Sequence, residues 1–180
     1  MSRRYALERD MTPAVEEWLR SQGMVVRREV WMPTGVCDLV GCRLDTENLQ
    51  RRLATGYRAR SSAQSLRDLE KGQSWLPLHE RLVFVELKLE RRGEVWRQAV
   101  RFRAYGEVWV AMPYPASEYR PLDEDRYASV GVLRVDGGVT VERRAAQNVV
   151  TRNCQVLRVV DSMAVSKEVL EASNEATETE

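Results

Sequence analysis

The chain has 180 residues, 43% hydrophobic and 31% charged, with a formal net charge of +1. That length allows one buried core with appendages, and the absence of any run of about 18 apolar residues excludes a membrane-spanning helix. Residues 1–10 are charged and lack an apolar leader core, so cytoplasmic residence is the expectation. Cys37, Cys42 and Cys154, with His79 as the single histidine, argue against a disulfide-stapled fold, a zinc site or a Cys–His nucleophile. The +1 conceals a gradient. Asp161, Glu168, Glu171, Glu175, Glu178 and Glu180 oppose only Lys167, which leaves residues 1–160 at +6. A basic body with an acidic tail is compatible with nucleic-acid binding.

Residues 5–22 read as a helix, because Leu7, Met11, Val15, Trp18 and Leu19 recur at helical spacing. Gly23 suits the position just past its end. Thr12-Pro13 allows either a bend in that helix or a start at Thr12 with proline in the first turn. Residues 24–31 have strand composition, Pro33-Thr34-Gly35 turns the chain, and residues 36–41 form the next strand. Alternation places Val36, Asp38 and Val40 on one face and Cys37 and Leu39 on the other. Residues 43–77 read as an insertion with helical pieces at 47–53 and 63–70. Its basic residues (Arg43, Arg51, Arg52, Arg58, Arg60, Arg67 and Lys71) suit either a solvated excursion or an arm on a phosphate backbone.

Residues 81–90 form the central strand. Val83, Val85, Leu87 and Leu89 share one face, and Phe84, Glu86 and Lys88 the other. Apolar residues on both faces predict an interior strand, where a carboxylate or ammonium must pair, bind a metal or border a cleft. His79 precedes it as a surface or strand-start residue. Residues 93–104 are helical by pattern and loaded with Arg97, Arg101 and Arg103 behind Arg91 and Arg92, and 107–112 is a strand. Strand, helix, strand predicts a parallel βαβ crossover. Residues 128–135 and 139–143 read as a β-hairpin across Asp136-Gly137-Gly138. Residues 149–160 suit strand or helix, and 171–180 a disordered acidic end. Trp96, Phe102 and Trp109 read as core rather than as base-stacking platforms.

The order helix, strand, strand with Asp38, strand with Glu86-Leu87-Lys88, helix, strand resembles the PD-(D/E)xK nuclease superfamily over about residues 5–113. The strongest stretches are Gly35-Val36-Cys37-Asp38-Leu39-Val40 and Val83-Phe84-Val85-Glu86-Leu87-Lys88-Leu89. The resemblance implies an α/β, restriction-endonuclease-like αβββαβ core with a mixed central sheet flanked by helices. The 43–77 insertion and the 128–143 hairpin are additions to a single domain, 1–160, with 161–180 as its tail. By the same resemblance Asp38 and Glu86 bind Mg²⁺ or Mn²⁺ with the backbone carbonyl of Leu87, and Lys88 assists the attacking water or the phosphate. The opening from Leu7 to Leu19 looks like the first helix of small bacterial proteins described as PD-(D/E)xK phosphodiesterases. Its site acid maps to Glu8, with Glu16 and Glu17 as alternatives. Gln98, with Tyr105 beyond it, is similar to the helix glutamine of RecB-like members, at a longer spacing. Cys37 stands where the superfamily has proline, and the gap from Asp38 to Glu86 is long.

The chemistry agrees with this reading. Phosphodiester hydrolysis needs polarisation of the phosphoryl oxygen and an activated water, and Mg²⁺ manages with a few oxygen ligands. A D…ExK pattern alone is as readily a cross-strand ion pair. The expectation is a metal-dependent deoxyribonuclease of DNA repair, restriction or phage DNA metabolism. Its partner is DNA (or RNA), touched by Arg91, Arg92, Arg97 and Arg101, in a homodimer or a larger DNA-processing complex. The alternative is a catalytically inactive domain of this kind that binds nucleic acid or a protein partner. No sequence-recognition helix stands out.

Overall fold

In the computed structural model, which describes residues 5–48, 50, 78–89, 94–115, 127–147, 159, 160 and 163, the N-terminal helical stripe divides at Thr12-Pro13. A 3-10 turn, Glu8–Met11, leads into α1, Thr12–Ser21, whose first turn holds Pro13, where a missing N–H leaves no intrahelical bond unmade. Of the two placements the sequence allowed, the start at Thr12 is the one adopted. Gly23 ends the helix with φ 71°, a left-handed conformation that favours glycine. Met11, Val15 and Leu19 turn inward from this segment.

Six strands follow among the described residues: β1 Val25–Met32, β2 Gly35–Leu44, β3 His79–Leu87, β4 Glu107–Met112, β5 Gly131–Val135 and β6 Val139–Arg143. They lie side by side in sequence order in one mixed sheet. β1, β2 and β3 are antiparallel, β3, β4 and β5 are parallel, and β5 and β6 close as an antiparallel hairpin. The expected parallel crossover is therefore present, with α2, Glu94–Val100, between β3 and β4. The fold is α/β.

The sheet has a core on each face. Val83, Val85 and Leu87 of β3 pack with Met11, Val15 and Leu19 on the α1 side. Leu82 and Phe84 pack with Val95, Trp96, Ala99 and Phe102 on the α2 side. The period-2 split of the central strand is thus the split between the two cores. Phe84 stacks on Phe102 with ring centroids 5.6 Å apart, and Trp18 meets Trp109 edge-on at 5.4 Å. Gly131 is where β5 crosses the indole of Trp109, and a Cβ there would stand 2.3 Å from the ring.

Several boundaries differ from the sequence reading. β2 runs on to Leu44, so Arg43 is a strand residue, paired with Glu80 at 2.8 Å, rather than part of an insertion. The following helical piece begins at residue 46 rather than 47, with Asp45 accepting from the Asn48 backbone N–H at 3.0 Å as its N-cap. β3 starts at His79, which is buried rather than on the surface. α2 stops at Val100, because the chain turns through residues 101–105 to bury Phe102 and Tyr105. The hairpin belongs to the main sheet, with β5 hydrogen-bonded to β4. Residues 159 and 160 are helical and buried. Expectations for 51–77, 91–92, 148–158, 161–162 and 164–180 fall outside the described residues.

Candidate active site

The site lies where β2 and β3 part company. Their backbone pairing holds from Arg43↔Arg81 to Leu39↔Val85 and ends there, one step short of setting Asp38 opposite Glu86. Beyond that point the Asp38 carboxylate replaces the backbone, accepting the Leu87 N–H at 2.7 Å. Cys37 donates its thiol to the Leu39 and Val85 carbonyls at 3.2 and 3.5 Å, which serves carbonyl groups at the opening. On the far strand Glu29, opposite Asp38, has φ 51°, outside the range strands use. This irregularity explains why Cys37 packs in the α2-side core with Val40 and Cys42, not on the face of Leu39 as strict alternation predicts.

Lys88, the residue after β3, gathers the acids. Its Nζ is 3.2 Å from Glu8 Oε2 and 3.9 Å from both Asp38 Oδ2 and Glu86 Oε2. Glu8 reaches the site because Asp10 folds the 3-10 turn back on itself, accepting the backbone N–H groups of Ala6 and Leu7 at 3.2 and 2.9 Å. The second Glu8 oxygen accepts the Leu89 N–H at 3.4 Å. The Lys88 backbone N–H bonds the Ala111 carbonyl at 3.0 Å, which anchors the residue to β4. The cluster therefore sits at the carboxyl end of parallel strands, the end at which open α/β sheets leave room for ligands.

One ammonium does not neutralise three carboxylates held this close. Burial, and then the neighbouring Asp38 charge, push the Glu86 carboxyl up to about 7. Lys88 and Arg101 pull in the other direction and do not prevail. Glu86 Oε1 is buried without a hydrogen-bond partner. Burial also raises Asp38, against the Leu87 N–H and Lys88, which lower it. Outside this cluster an open groove of about 1150 Å³ runs between the 3-10 turn and the β1–β2 hairpin. Glu8, Asp38, Leu87 and Leu89 line it, together with Arg9, Arg28 and Glu29.

The structure brings Glu8, Asp38, Glu86 and Lys88 together, and Leu87 lines the same groove. Glu16 is elsewhere: it is buried and forked to Arg28 at 2.5 and 2.8 Å, while Glu17 is exposed on α1. Gln98 is half-buried on α2 and takes no part in the contacts around Lys88, and Arg97 is exposed. Arg101 is exposed yet near enough to act on Glu86. Arg91 and Arg92 lie outside the described residues. Among the described residues no three His, Cys, Asp or Glu groups form a ready-made ion cage. Trp96, Phe102 and Trp109 are core, whereas Trp31, which the sequence reading treated as an ordinary strand residue, is 81% exposed.

No family model matches the chain, and no curated protein matches it. Among solved structures it is similar to SPO1766, a protein of unknown function from Silicibacter pomeroyi. The identity is 14% over 93% of this chain and 90% of that one, with a TM-score of 0.50, a likeness of fold alone. No helix among the described residues is long and apolar enough to cross a membrane.

Proposed function

We propose that the protein is a metal-dependent nuclease with a restriction-endonuclease-like core, hydrolysing phosphodiester bonds of DNA. The observation that carries this reading is the convergence of Glu8, Asp38 and Glu86, from three separate elements, on Lys88 at the point where β2 and β3 separate. A structural ion pair needs one acid, and three leave an excess of negative charge that calls for a cation. The donor set fits Mg²⁺ or Mn²⁺: all oxygens, with Glu86 Oε1 buried and unpartnered. Asp38, Glu86 and the Leu87 carbonyl are the groups that would hold the ion. What the ion supplies when bound is polarisation of the phosphoryl oxygen and a more acidic water.

The chain's own residues do the rest. Glu8 orients Lys88, whose ammonium stabilises charge growing on the phosphate oxygens. Glu86, poised near neutral pH, can hold a proton at Oε1 while the site is empty of cations. Arg101 on the α2 side adds positive charge next to Glu86. Gln98 would orient water or substrate only after its side chain turns toward the cluster.

The test is cleavage of circular, linear double-stranded and single-stranded DNA by the purified protein in Mg²⁺, Mn²⁺ or EDTA. Metal-dependent cutting that falls at least about 100-fold in Lys88→Ala, with unfolding still cooperative, is the expected result. Equal cutting by the variant would remove Lys88 from the mechanism. The centring of the three acids on Lys88 favours a second reading, a catalytically silent domain of the same kind that binds nucleic acid. Binding that persists in EDTA, without cutting in any metal, would select it.

A further inference from the structure

The hairpin that carries Asp38 ends in an exposed aromatic ring. Trp31 of β1 and Val36 of β2 face each other in the register and are 81% and 39% exposed. Their neighbours Val30, Met32 and Cys37 all pack into the α2-side core. By alternation Trp31 and Val36 lie on the opposite face, toward the 3-10 turn and α1, where the groove opens. Two residues further along each strand are Glu29 and Asp38, both of which line the groove. Two residues along a strand span about 7 Å. The indole therefore stands just beyond the groove, one side-chain repeat from a proposed metal-binding acid.

Size decides what the ring can receive. A stable protein partner needs about 800 Å² on each side with an apolar centre. Here the apolar surface is one indole and one valine, next to exposed Arg27 and Glu29. Of the other large apolar groups exposed among the described residues, Leu7 lines the groove itself and Val141 sits on β6, the opposite edge of the sheet. A lone flat ring beside a phosphate-cleaving groove matches one nucleobase.

We infer that Trp31 is a stacking platform for an unpaired base of a strand whose backbone lies in the groove over Glu8 and Asp38, so that the substrate class is single-stranded nucleic acid. This rests on the nuclease reading and specifies its substrate. In an intact duplex each base is covered by its neighbours, and the ring has no face to meet.

The test is fluorescence anisotropy in low-salt buffer with EDTA, using the whole chain and a short labelled thymidine oligonucleotide. A strand of equal length made of abasic sites and a blunt hairpin duplex serve as comparisons. Because Trp31 is exposed, Trp31→Ala should unfold at the wild-type temperature. It is expected to weaken binding of the thymidine strand about 5- to 100-fold, with Trp31→Phe retaining most of the affinity. The abasic strand and the duplex should bind wild type and Trp31→Ala alike. Affinity for the thymidine strand within about two-fold of wild type, an equal loss on all three probes, or no measurable binding by the wild type would overturn the inference. So would self-association of the wild type that Trp31→Ala abolishes, which would assign the ring to a second copy of this chain. Metal-dependent cleavage with Trp31-independent binding overturns this inference and leaves the nuclease reading standing. Trp31-dependent binding without cleavage does the reverse.

Discussion

At the start of β3, Arg81 forks onto Glu107 at 2.8 and 2.6 Å, one cation to one acid. Glu107 is 5% exposed, and the fork satisfies both of its oxygens. At the end of the same strand, Lys88 stands among three acids, and Glu86 keeps an oxygen with no partner. The first arrangement leaves nothing for a ligand to satisfy. The second leaves an unmet electrostatic demand, which is the condition for binding a cation or holding a proton. One strand thus carries a charge-matched end and an unmatched end, with Arg81 and Lys88 seven residues apart.

The largest effect on stability is expected from opening the matched end. Arg81→Ala leaves the buried Glu107 carboxylate without its fork and should cost about 3–5 kcal/mol in urea unfolding. A loss under about 1 kcal/mol would erase the contrast between the ends. Neutralising the unmatched end should act in the opposite direction. The Glu86 carboxyl, raised to about 7, binds its proton more tightly in the folded chain than in the unfolded one. Stability therefore falls as pH rises from about 4.5 to about 7. Glu86→Gln should remove that fall, matching wild type below this window and exceeding it above, by at most about 3 kcal/mol, in EDTA. Thermal melts across pH read it directly, and a variant less stable than wild type at pH 8 would contradict it.

The smallest effect belongs to the other matched pair. Arg28 holds the Glu16 carboxyl below its usual range, so this pair's contribution is present above the unfolded value and fades as pH drops through the folded one. Glu16→Gln should lower the melting temperature by a few degrees at pH 7 and by nothing in strong acid. It should leave DNA cleavage untouched, which would separate Glu16 from Glu8. A loss of cleavage equal to that of Lys88→Ala would show the two helix acids acting as one site.

How much of this was legible beforehand depends on the element. The two faces of β3 followed from alternation in an apolar run, and the βαβ crossover from strand, helix and strand of ordinary length. Asp38, Glu86 and Lys88 were legible because charges are conspicuous on interior strands. The choice between Glu8 and Glu16 was not, since both are acids near one helix and only β1 brings Arg28 to Glu16. For His79 the sequence left a surface position and a strand start both open, and it is the strand start that buries it. Trp31 was overlooked because an apolar strand residue gives no local sign of which side the sheet leaves open.

The amino-acid order alone determined the local preferences: the helix stop at Gly23, two possible placements for its start around Thr12-Pro13, strand periods, and which residues carry charge. Those depend on steric and hydrophobic rules that act over a few residues. The tertiary structure decided that β2 and β3 separate after Leu39↔Val85, that three acids from distant segments meet one lysine, and that a tryptophan is left in solvent beside them. Each of these depends on distances between residues far apart in the chain, and such distances exist only once the sheet has closed.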